Sequence, residues 1–263
     1  MTPTASGTSP FTPAPGAAPL HRMVAAQAGM ELRVMLRNGE QLLLTMVIPV
    51  LLLVGFSTTG VLDLGSGPRV DFLTPGVLAL AVLSTAFTGQ AIGTGFERRY
   101  GVLKRLGATP LSRFGLLAAK TLAVLAVEAL QFLVIGATAV LLGWRPAADP
   151  AGLAYCVLLV LLGTAAFSSL ALLMAGTLRA EATLAAANLV YVVLLGLGGV
   201  VFATDRFPDA VQPLLQALPV TALAEGLRAV LADGAAPTLA PVLVLALWTA
   251  AGAALAARFF RWE

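Results

Sequence analysis

Long apolar runs without a single Asp, Glu, Lys or Arg alternate along this chain with short charged stretches. Such runs extend from Gln41 to Leu62, Phe72 to Phe96, Ala151 to Leu178, Ala182 to Thr204 and Gly234 to Ala257. Each is long enough to carry a helix across about 30 Å of hydrocarbon. A sixth run, Thr121 to Trp144, holds one charge, Glu128, and is otherwise apolar over the required length. The pattern predicts an all-α, polytopic membrane protein with six transmembrane helices over residues 41–263.

Upstream of these spans the pattern changes twice. Residues 1–19 mix Pro, Thr, Ala and Gly with no apolar core, which fits a disordered tail and not a cleavable signal peptide. Residues 20–40 show helical spacing. Arg22, Arg33, Arg37 and Glu40 fall along one stripe, with Val24, Val34 and Met35 largely opposite and Glu31 as the imperfection. A short amphipathic helix lying at the membrane interface is expected there.

Composition agrees: 59% of residues are hydrophobic, only 11% are charged, and the mean hydropathy is +0.92. A water-soluble fold is excluded, since ordinary domains carry about a quarter charged residues. The six-span layout collects most of the 16 Lys and Arg on one face, which the positive-inside rule assigns to the cytoplasm together with both termini. That bias accounts for the net charge of +3 without a nucleic-acid partner. High Ala, Leu, Val, Gly and Arg usage, with Lys only at 104 and 120, fits a bacterium with a G- and C-rich genome, so its cytoplasmic (inner) membrane is the expected location.

The loop after the second span runs Glu97, Arg98, Arg99, Tyr100, Gly101, Val102, Leu103, Lys104, Arg105, Leu106 and is stopped by Gly107 and Pro110. Tyr100, Val102, Leu103 and Leu106 share one helical side, and Glu97, Arg98, Lys104 and Arg105 the other. Two uses fit: a solvated basic loop touching anionic lipid, or a peg whose apolar side docks in a groove of a cytoplasmic partner. After the fifth span, runs broken by Pro213 and Pro219 are too short to cross and suit a re-entrant or interfacial hairpin. Glu225 and Arg228 in it stand at i, i+3 and can pair; a wet external loop is the alternative.

The segment Glu97 to Arg113, with its Lys-Arg-Leu and closing Thr-Pro-Leu-Ser, resembles the loop after the second span of type 2 ABC exporter permeases, the daunorubicin-resistance-like drug, lipid and polysaccharide exporters. The Pro219, Thr221, Glu225, Arg228 stretch is similar to the external hairpin motif of that family, although Val220 and Ala222 replace bulkier residues. The resemblance implies that Glu97 to Leu106 is a coupling helix seated in an ABC ATPase subunit, present in two copies. It also implies a second permease half, identical or paralogous, and export of an amphipathic or hydrophobic compound, by default a drug or antibiotic. ATP and Mg would belong to the partner, because this chain has no phosphate loop: Gly89 to Gly95 lacks a Lys and lies in a span.

Other chemistry is sparse. The lone histidine, His21, leaves no basis for an enzyme or a metal site. Ser84 and Thr88 in the second span, and Asn188 and Tyr191 in the fifth, are candidates to line a substrate path or to bond neighbouring helices. Gly89 and Gly93 form a GxxxG pair expected to let the second helix approach a neighbour. Glu128 is the one acid inside a span, where insertion is unfavourable by about 2.5 to 3.5 kcal/mol. It is either a proton or cation site, as a self-powered secondary transporter or channel would need, or a buried group facing Gln131 or a neighbour.

Overall fold

The computed structural model describes residues 16–59, 68–200 and 204–260. Most of the tail expected over 1–19 lies outside these, as do the ends of the first span (60–62) and of the fifth (201–203). Helices α1 (Leu20–Arg37), α2 (Gly39–Leu42), α3 (Ile48–Thr58), α4 (Arg69–Val82), α5 (Gln90–Arg99), α6 (Val102–Gly107), α7 (Arg113–Leu141), α8 (Pro150–Thr177), α9 (Ala180–Leu197), α10 (Gln212–Gln216), α11 (Pro219–Leu231) and α12 (Leu239–Phe259) follow in order, with no strand among the described residues. The chain is all-α and polytopic.

Two of the expected spans are not uniform α-helix. A π-helical segment, Leu43–Val47, joins α2 to α3, and a second, Leu83–Gly89, joins α4 to α5. The wider turn releases backbone carbonyls from the regular ladder, and such segments persist where a side chain takes up the freed group. Among the described residues five helices are long and apolar enough to cross a membrane: Arg69–Arg99, α7, α8, α9 and α12. The first expected span is represented by α2, the π segment and α3, whose apolar stretch Thr45–Thr58 is shorter than those five.

Local chemistry explains the boundaries. Ser112 caps α7 by accepting from the Gly115 amide at 3.1 Å. The helix therefore begins at Arg113, eight residues before the apolar run that announced it, because charge does not end a helix that emerges into the interface. Asp149 caps α8 in the same way at 2.6 Å, with Pro150 at the first position. The sixth span starts at Leu239 and not at Gly234, since Gly234 turns the chain at φ +62° before the helix forms.

Arg69–Arg99 is the central post: 89% of its apolar window is buried, against 11% for α12. Around it pack α3, α7, α8, α9 and α11, while α12 lies against α8 and α1 against α7. The outer faces of α7, α8, α9 and α12 keep Leu133, Val157, Leu189 and Leu247 exposed, as hydrocarbon permits. Gly76 of α4 sits directly against the Val200 carbonyl, where a side chain has no room. Gly76→Val should therefore lower stability by about 1–3 kcal/mol through overpacking. Gly55→Ala, where the added carbon meets nothing, should be neutral or mildly stabilising; thermal melting of the detergent-purified chain distinguishes the two.

Candidate functional site

At the basic end of the bundle α1 buries two polar residues more deeply than any of its apolar ones, of which Met23, Val24, Leu32 and Met35 are half-buried. Gln27 and Glu31 are its buried positions, whereas Met30, Val34 and Leu36 are exposed. Glu31, an imperfection in the helical pattern, is thus the anchor. Lipid accepts the apolar side at no loss, and the polar side must find its partners in protein. Arg22, Arg33 and Arg37 remain exposed along the helix.

The partner is Lys120 of α7, only 6% exposed. Its Nζ donates to Glu31 Oε2 at 3.1 Å and to Glu97 Oε1 at 2.9 Å, and lies 2.7 Å from Glu97 Oε2. Gln27 Nε2 donates to Glu31 Oε1 at 2.8 Å. One ammonium, with three donors on a flexible stem, therefore joins α1, α5 and α7.

The next two residues fasten the same end of α5 to the other side of the bundle. Arg98 donates to the Leu178 carbonyl at the close of α8, and Arg99 pairs with Glu181 in the first turn of α9. Gly101, at φ +69°, then reverses the chain into α6 in a conformation few other residues adopt. Tyr100 is 65% exposed and stacks on Phe96 with ring centroids 6.1 Å apart. Lys104 and Arg105 are exposed and Val102 and Leu106 half-buried. Leu103, expected on the docking side, instead is buried within this chain, 2% exposed. A six-residue helix backed by its own bundle must seat one apolar residue inward to be held at all.

Deeper in the apolar layer, Gln131 of α7 spans both π segments. Its Oε1 accepts from Thr85 Oγ1 at 2.9 Å and its Nε2 donates to the Thr45 carbonyl at 2.8 Å. Glu128, 1% exposed, faces Thr164 of α8, whose hydroxyl donates to Oε2 at 2.7 Å, rather than Gln131. Ser84 is buried and Thr88 half-buried, Tyr191 half-buried, and Asn188 exposed on α9. The GxxxG expectation fails at Gly93, which is exposed with open space where a side chain would stand; Gly95 makes the close approach, to Thr183.

At the opposite end α10 and α11 form the short pair that the prolines foretold. Pro219 opens α11, and its apolar face is wedged against α4, α8 and α12. Thr221 is fully buried. The expected Glu225 and Arg228 pairing is replaced by separate partners. Glu225 accepts from Thr204, while Arg228 donates to the Gly199 carbonyl at 2.7 Å and the Phe72 carbonyl at 3.3 Å, with its guanidinium 3.9 Å from the Phe72 ring centre. Burial explains the exchange: the Gly199 carbonyl, in the turn after α9, lies beyond the helical ladder, and the buried Arg228 guanidinium reaches it and the Phe72 carbonyl in the first turn of α4.

Sequence reasoning had passed over Gln27, Glu31 and Lys120 as parts of a site. The one signal was Gln27 and Glu31 at i, i+4. Lys120→Ala should destabilise the chain by about 3–5 kcal/mol, because two carboxylates are left without a counter-charge. Glu31→Gln, which keeps its place and loses only charge, should be milder. Thermal melting of the purified variants checks the order.

A family model described as ABC-2 type transporter matches residues 27–232. No curated protein matches the chain. The matched region covers more than half the chain and takes in the Lys120 junction, the Arg98 and Arg99 ties, α6 and α11. The chain belongs to the ABC-2 type transporter family, as a multi-pass membrane permease component of the kind that works with a separate ABC ATPase subunit.

Proposed function

We propose that this chain is one half of an ATP-driven exporter in the cytoplasmic membrane of a bacterium, with its basic end and both termini in the cytoplasm. Two ATPase subunits power it, and a second permease half completes it. The observation that carries this reading is that Glu97, Arg98 and Arg99, three consecutive residues, are tied to three different parts of the bundle. A displacement imposed on α6 is thereby delivered together to α1, α7 and the α8–α9 junction. The exposed Tyr100, Lys104 and Arg105 form the contact with the ATPase, with a cleft of about 380 Å³ between α6 and the start of α7 beside them. ATP and Mg stay on that partner.

The cargo is an amphipathic or hydrophobic compound, with a drug or antibiotic as the default, because the spans offer few charges to a polar one. Ser84, Thr88, Asn188 and Tyr191 are assigned to the path, with the second half closing its open side. Membrane insertion and assembly differ in what they require, and this gives the test. The wild-type chain, purified from its native membrane, should bring an ABC ATPase with it, and a Lys104→Glu, Arg105→Glu variant should insert normally and lose that ATPase. No ATPase with the wild type would sink the reading. Glu128→Gln should leave transport intact, since Glu128 faces Thr164 inside the bundle; its loss with assembly unimpaired would favour a self-powered transporter.

A further inference from the structure

Between α1, α5 and the first half of α7, under Tyr100 and Val102, lies a cleft of about 240 Å³. Its α5 wall is made by Gln90, Gly93 and Thr94. Gln90 is 6% exposed and neither of its amide atoms has a hydrogen-bond partner; Thr94 is 2% exposed and its hydroxyl has none. Buried polar groups in that state are disfavoured unless something enters to satisfy them. Gly93, between them, leaves the space open. Gln90 and Thr94, about one helical turn apart on the same wall, thus hold three hydrogen-bonding atoms without partners.

The charges around it select the occupant. Glu31 and Glu97 border the cleft with Lys120, two carboxylates to one ammonium, so the inner wall they form carries an excess negative charge. Arg98 and Arg99 turn away from it to Leu178 and Glu181. Arg99 also stands over the Tyr100 ring at 5.8 Å, which leaves Phe96 as the lining ring for a second cation. On the α1 side Val34, 60% exposed, marks the outer opening of the cleft. Arg33 and Arg37 flank the mouth beside Val34 and Asn38, and Arg105 donates to the Tyr100 carbonyl above it, so the excess of carboxylates is confined to the inner wall formed by Glu31, Glu97 and Lys120.

We propose that this cleft binds an organic ammonium carried on an apolar body. Its charged head meets the Glu31 and Glu97 carboxylates, Gln90 and Thr94 hydrogen-bond its polar atoms, and its apolar part leaves along Val34. Such an occupant sits at the junction of α1, α5 and α7 whether or not the chain exports anything, so binding to the purified chain tests it apart from the ATPase.

The full-length chain is placed in phosphatidylglycerol nanodiscs, which hold no ammonium, and exposed to a diazirine-bearing hexadecylamine or to the matching alcohol; labelled peptides are then mapped. The amine should label α1 and α5 around the cleft roughly tenfold more than the alcohol, the preference given by one charge-assisted hydrogen bond. Gly93→Leu, which fills open space, and Gln90→Leu, which removes an unpartnered group, should abolish that preference with unchanged melting. Suppression by added phosphatidylethanolamine identifies a lipid headgroup as the source, and suppression by dodecylamine alone identifies a free amine. Equal labelling by amine and alcohol, or a preference that survives both substitutions, would mean that the cleft holds only water and would overturn the proposal.

Discussion

An ammonium group placed between two carboxylates at the edge of a hydrocarbon layer is held far more firmly than the same group in water, because screening falls with the local dielectric. Lys120, Glu31 and Glu97 exploit this at the basic end of the bundle. Desolvation of three charges is unfavourable, and their mutual attraction offsets it only while all three are present. Helix α1 follows from that condition: its fully buried positions are Gln27 and Glu31, while Met35 is half-buried against the core and Met30, Val34 and Leu36 are exposed. The start of α6 follows too, since Glu97 fixes the end of α5, from which Gly101 turns the chain.

Below this junction, polar side chains compensate for departures from regular helix. A π segment frees backbone groups in a place without water; Gln131 takes up the Thr45 carbonyl of the first and is held in turn by the Thr85 hydroxyl of the second. At the far end Arg228 serves the carbonyls of Phe72 and Gly199, joining the beginning of α4 to the turn after α9. Each device links elements distant in the chain through one long side chain from a rigid helix. Apolar packing alone gives little preference between one helix neighbour and lipid, so these few contacts carry much of the specificity of the arrangement.

The family match agrees with this division of labour. It begins at Gln27, the first residue of the Lys120 network, and ends at Ala232, just past α11. Helix α12, beyond it, is the least buried of the spanning helices and contributes Trp248, which donates to the Ala217 carbonyl at 2.8 Å.

The sequence by itself determined that the chain is an all-α membrane protein, roughly where its helices run, and which loop and hairpin stand out, because hydropathy and helix stops are local properties written residue by residue. Pro213 and Pro219 marked the α10 and α11 pair and Gly107 the end of α6 for the same reason, whereas the single helix expected over Glu97 to Leu106 is broken at Gly101, where φ is +69°. Pairing was beyond its reach. Glu31 and Lys120 are 89 positions apart, and Glu225 and Arg228, close enough in sequence to suggest each other, take different partners. Leu103 turned inward and Gly93 outward against their local patterns. Which face of a helix is buried, and which charge answers which, depends on what other helices bring to the same point in space, and only the tertiary structure decided that.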